Sequence, residues 1–160
     1  MKARMKALIE VFTEDIELPW RGIDEMWLSA LGGKICGALA LRNAVISLIM
    51  TNDEYIKEIN KKYRKKNAPT DVISFAYMED MEDEDPFPHG ETETEELGDI
   101  YISLERAAEQ SFEYGVSLKD EVKRLLIHGI LHLTGYDHEK SEEEGGIMRA
   151  KEDELFEIMS

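Results

Sequence analysis

The stretch His128-Gly129-Ile130-Leu131-His132-Leu133-Thr134-Gly135-Tyr136-Asp137-His138 holds three of the chain's four histidines. His128 and His132 stand at i and i+4, so on an α-helix both imidazoles leave one face, a turn apart. Gly135 falls where that helix would end, because glycine enters the left-handed conformation without steric cost and can reverse the chain. His138 is thereby returned toward the other two. Three neutral imidazoles around one divalent ion leave a fourth position for water, the feature that separates catalytic from structural zinc sites. Leu125, Leu126, Ile127, Ile130, Leu131 and Leu133 surround the helix with apolar side chains, as a core helix with satisfied histidines would also require. Two histidines in helical register and a third beyond a glycine turn favour a metal over that alternative.

The spacing His-x-x-x-His-x-x-Gly-x-x-His resembles the zinc signature of the metzincin proteases, with Gly129 where that motif has glutamate. There the glutamate takes a proton from the metal-bound water and passes it to the leaving amine. Without it a zinc peptidase lacks its general acid and base.

Outward from this segment, Ser117 followed by Asp120 and Glu121 is an N-cap signal and gives a histidine helix from about Leu118 to Thr134. Ser141 caps a last helix with Ile147, Met148, Leu155, Phe156 and Met159 as its apolar contacts. Toward the N-terminus, strands are expected over Met5–Phe12, Ala44–Met50, Asp71–Tyr77 and Gly98–Leu104. Helices are expected from about Ile23 to Leu39, from the capping run Thr51-Asn52-Asp53-Glu54 to about Lys66, and from Glu105 to Tyr114, where Gly115 breaks the last. Gly32 and Gly33 weaken the first of these, each costing ~1 kcal/mol relative to alanine. Strands and helices that do not alternate regularly, with helices gathered at the C-terminus, indicate an α+β fold, and 160 residues suit a single domain.

The formal net charge is −16. It is concentrated: residues 79–96 hold ten acids and no lysine or arginine, and residues 139–157 hold eight acids against three bases. The first of these is a loop of low apolar content containing Pro86, Pro88 and His89, the last read as exposed and without function. Against this background Lys61-Lys62-Tyr63-Arg64-Lys65-Lys66 places five cations in six residues. Such a block can merely answer the negative end of a helix dipole. A single cysteine, Cys36, excludes an internal disulfide and suits a reducing compartment. With no signal-peptide pattern and no stretch approaching ~20 apolar residues, a soluble cytoplasmic protein is expected.

Two motifs, the histidine segment and Tyr63-Arg64-Lys65-Lys66-Asn67-Ala68-Pro69-Thr70-Asp71-Val72-Ile73-Ser74-Phe75, resemble the YbeY family of metal-dependent endoribonucleases, also called rRNA maturation factors. Leu97-Gly98-Asp99-Ile100 adds a weaker match. The resemblance implies a zincin-like α+β fold, a mixed four-stranded sheet with the histidine helix packed beside it. It implies metal ligands at His128, His132 and His138; three imidazoles suit one zinc ion, with nickel or copper competing by intrinsic affinity. Arg64 takes the family's functional arginine and acts on the substrate with His128, and Lys66 is its substrate-binding neighbour. A guanidinium presents paired donors to phosphate oxygens. Asp137 either orients a histidine or serves as the base. The implied substrate is single-stranded RNA at the 3′ end of small-subunit rRNA, with the ribosome as partner, no DNA and no membrane. The competing reading is a non-catalytic assembly factor, its metal structural and its basic block docked on the ribosome. Ala76 departs from the family's usual proline after Ser-Phe, and the acidic loop is longer than the family suggests.

Overall fold

The computed structural model describes residues 7–77, 95–136 and 141–160. In chain order come β1 (Leu8–Thr13), α1 (Glu25–Ala38), β2 (Ala44–Thr51), α2 (Asp53–Arg64), β3 (Val72–Ala76), β4 (Glu95–Ser103), α3 (Leu104–Tyr114), α4 (Leu118–Leu133) and α5 (Glu142–Ile158). The strands form one sheet in the order β1-β2-β4-β3, with β1, β2 and β4 parallel and β3 antiparallel to β4. This is the mixed four-stranded sheet expected from the resemblance, with the histidine helix α4 against it. His89 and most of the acidic loop, and Asp137 and His138, lie outside the described residues. No helix among the described residues is long and apolar enough to cross a membrane.

Side-chain alternation divides the sheet into two unequal faces. Ile46, Leu48, Ile100 and Ile102 join Leu28 and Ile35 of α1 and Leu126 and Ile130 of α4 in the main core. Each such side chain contributes roughly 1.5–3 kcal/mol by leaving water. On the other face Ile49 and Ile73 are buried, as is Ile56 of α2. There Tyr55 stacks on Tyr101, and Phe75 meets Tyr101 and Tyr63 edge-on.

Each of the five helices named above begins at a side-chain cap, as Asn52, Ser117 and Ser141 signalled: each accepts from the amide three residues on, and Asp24 and Ser103 do the same for α1 and α3. Several boundaries differ from expectation by one to three residues. β4 starts at Glu95, ahead of Gly98, because Ala44 and Val45 pair with Glu95 and Glu96 before a bulge realigns Ile46 with Gly98. Adjacent glutamates mask that start, since glutamate is depleted in strands. α2 stops at Arg64 rather than Lys66, because Lys65 turns left-handed (φ 57°) and its amide closes onto the Asn60 carbonyl. α1 runs unbroken through Gly32 and Gly33. At Gly32 a β-carbon would lie 2.5 Å from Ile9 Cγ1, so glycine is what lets α1 settle on β1.

α4 also lies close against the sheet. A β-carbon on Gly129 would stand 2.9 Å from Ile100 Cγ2 and 3.2 Å from Ser74 Oγ, and the Ser74 hydroxyl donates to the Gly129 carbonyl at 3.3 Å. From the sheet side, Gly98 (φ 153°) leaves room for the Phe75 carbonyl and for Leu133 of α4. Gly129→Ala should therefore destabilise the protein by about 1–3 kcal/mol through overpacking. Gly33→Ala, where nothing lies within 4 Å of the added carbon, should stabilise it by up to ~1 kcal/mol. Urea unfolding midpoints for the two variants should move in opposite directions.

Candidate metal centre

α4 presents His128 and His132 side by side. Their Nε2 atoms are 3.1 Å apart, and the ring centroids lie 4.6 Å apart with planes at 74°. Behind them, Glu152 Oε1 of α5 stands 3.3 Å from His128 Nδ1, both side chains about four-fifths buried (22% and 18% exposed). A carboxylate accepts, so Nδ1–H donates to it and the Nε2 lone pair of His128 faces His132. Two Zn–N bonds of ~2.0–2.1 Å at a tetrahedral angle separate their nitrogens by ~3.3 Å, close to the separation found. The pair thus fits two ligands of one divalent ion, with the outer nitrogen of His128 held as such ligands require. Among the described residues no cluster of three or more His, Cys, Asp or Glu side chains completes a cage. The third expected ligand, His138, lies outside them.

Glu152 was not singled out from sequence. Its signal is positional: on α5 the inward stripe runs Met148, Leu155, Phe156, Met159, and the i+4 place after Met148 belongs to a glutamate. In a helix with five other glutamates, one inward carboxylate does not stand out.

The upper half of α4 is anchored by a second carboxylate. Glu121, 1% exposed, accepts from Arg124 Nη2 and Nε at 2.6 and 2.9 Å and from Gln110 Nε2 of α3 at 2.6 Å. Gln110 also reaches Asp71, just ahead of β3. Helix and strand are thereby tied together above the histidines. Below them, an open pocket of about 410 Å³ adjoins His132, bounded by Ala76, Leu97 and Gly135.

Arg64 and Lys66 are exposed at the end of α2. The block is placed from β3: Tyr63 packs on Phe75 at 5.2 Å, and Asn60 Nδ2 donates to the Ala68 carbonyl at 2.8 Å. Phe75 and Ser74 point to opposite faces of β3, and Ser74 is the one that meets α4. The structure therefore brings His128 and His132 together and holds Arg64 and Lys66 across β3 from them.

Beyond β3, Tyr77 Oη donates to Asp99 Oδ1 at 2.7 Å and ties the strand's end to β4. That hydrogen bond, with burial adding to it, pushes the Tyr77 phenol up to about 12.

The family model described as Endoribonuclease YbeY matches residues 15–160. Endoribonuclease YbeY of Persephonella marina is 44% identical over 141 residues, covering 88% of this chain and 87% of its own. That of Aquifex aeolicus is 45% identical over 123 residues, 77% and 75% of the two chains. That of Fusobacterium nucleatum is 50% identical over 115 residues, 72% and 67%. The solution structure of TM1509 from Thermotoga maritima matches with a TM-score of 0.61 at 25% identity, over 95% of this chain and 89% of that one.

Because the Tyr77 pKa is raised on folding, its contact contributes fully below the ordinary tyrosine value of ~10. The contribution is lost as pH climbs through about 12. Tyr77→Phe should remove one tyrosinate absorbance step near that pH, and the Tm difference from the parent protein should narrow over the same window.

Proposed function

The chain belongs to the YbeY endoribonuclease family, and we propose that it is a metal-dependent hydrolase that cleaves single-stranded RNA. In this reading it acts as one cytoplasmic domain on the 3′ end of small-subunit rRNA and in ribosome quality control. The observation that carries it is the convergence of the His128 and His132 Nε2 atoms at 3.1 Å, with Glu152 behind His128.

His128, His132 and His138 are the proposed ligands of one zinc ion. Bound there, a divalent ion supplies Lewis acidity toward a phosphoryl oxygen and a water acidic enough to act near neutral pH. Glu152 holds the His128 ring so that Nε2 faces inward. Arg64 offers two parallel N–H donors to the phosphoryl oxygens as charge builds on them, and Lys66 adds a point charge along the strand. The turn at Lys65, closed on the Asn60 carbonyl, fixes the backbone from which both cations project. Gly129, packed against Ile100, has no part in proton transfer.

Metal content and RNA cleavage, measured on one preparation with and without chelator, test this reading. His132→Ala should lose both. A protein that keeps its metal and cleaves no RNA would instead be the non-catalytic assembly factor. Arg64→Ala should keep metal and fold while cleavage falls by about 10²–10³-fold, and lysine at that position should rescue poorly because it lacks the paired donors. Glu152→Gln should weaken zinc binding by about 10–100-fold in a chelator competition.

A further inference from the structure

We propose that the pocket between α1, α4 and α5 is a second site for single-stranded RNA, which takes a phosphate and its adjoining nucleoside away from the histidines. It rests on the RNA reading above. The pocket measures about 490 Å³ and has Trp27 and Phe156 in its walls and Lys34, Lys119 and Lys123 around it. In a chain of net charge −16, such a convergence of cations is conspicuous.

Lys123 is the unusual member. Its side chain is only 9% exposed, and its partner Asp120 is 3.7 Å away, longer than the ~2.7–2.9 Å of a charge-assisted hydrogen bond. Lysine is rarely buried without close pairing. Its ammonium lies 3.9 Å from the Phe156 ring centroid, and that of Lys119 lies 5.2 Å from the centroid of Trp27. Lys34 and Lys119 are exposed, and among the described residues no carboxylate pairs with either. Among the lining side chains Asp120 is the one carboxylate against three lysines.

Cations interleaved with aromatic rings are what a single strand requires, because each nucleotide brings a phosphate and a π-face together. An acidic peptide would satisfy the lysines and leave the rings unused. The position suits a strand already engaged at the metal centre: Lys119 is nine residues from His128 on α4, ~13 Å along the axis. Phe156 follows Glu152 by one turn of α5, so a single helix borders both places.

The test uses the full chain with Trp20→Phe, which leaves Trp27 the sole tryptophan. Titration with a 2′-O-methyl oligonucleotide of about 12 residues should quench Trp27 with the same Kd as fluorescence anisotropy reports. Lys34→Ala with Lys119→Ala should remove the quench and lower the slope of log K against log salt by about 1.4, at ~0.7 for each lost phosphate contact. Arg64→Ala should weaken binding yet leave the quench at saturation. Binding by anisotropy without a Trp27 response, or a double variant unchanged in both, would overturn this site and leave the proposed function standing. Equal quenching by polyglutamate would overturn the assignment to RNA. No binding of the oligonucleotide at all would remove both proposals together.

Discussion

The contact between Gly129 and the sheet sets the rotation of α4, and with it the direction of both histidines. At ~100° per residue, His128 stands about 100° and His132 about 60° to the same side of the line from the helix axis through Gly129. With Gly129 pressed on Ile100 and Ser74, the pair must face the flank of the helix where α5 brings Glu152. A slip of one residue would turn the imidazoles by ~100° and put a side chain where none fits. Gly98 makes the matching allowance on β4, so two glycines from distant parts of the chain define one interface.

The same contact accounts for the departure from the protease motif. A glutamate at 129 would have to grow out of a space already held by Ile100 and Ser74. Its absence is therefore a packing requirement as well as a chemical difference. The Glu121, Arg124 and Gln110 cluster resists rotation one to two turns away, because the buried Glu121 carboxylate is satisfied only while Arg124 and Gln110 reach it. Apolar packing supplies most of the adhesion of α4, while these directional bonds supply its register.

Signals confined to a few neighbouring residues were legible in the sequence. Ser117 and Ser141 marked helix starts, Gly115 and Gly135 marked ends, and the spacing of His128 and His132 predicted imidazoles that do lie side by side. What escaped depends on residues remote in sequence. The early start of β4 is set by pairing with Ala44 and Val45, against the local preference of Glu95 and Glu96. Glu152 acquires its place only once α5 is laid along α4. Gly32 looks like a weak point in a helix until Ile9 is set against it. The likeness of two motifs to one family carried the sheet and its mixed strand directions, which periodicity alone does not contain.

The left-handed residue at Lys65 has a further consequence. A run of lysines on a loose tail must lose conformational entropy when it meets a polyanion, at ~1–2 kcal/mol for each residue whose backbone becomes fixed. Here the turn is already closed by the Asn60 carbonyl, and the Asn60 side chain holds the segment again at Ala68. The ordering cost is met during folding, so the attraction of the block for a polyanion is spent on association rather than on shaping the chain. Under the proposed function Asn60, buried beneath the block, is in this sense a determinant of affinity.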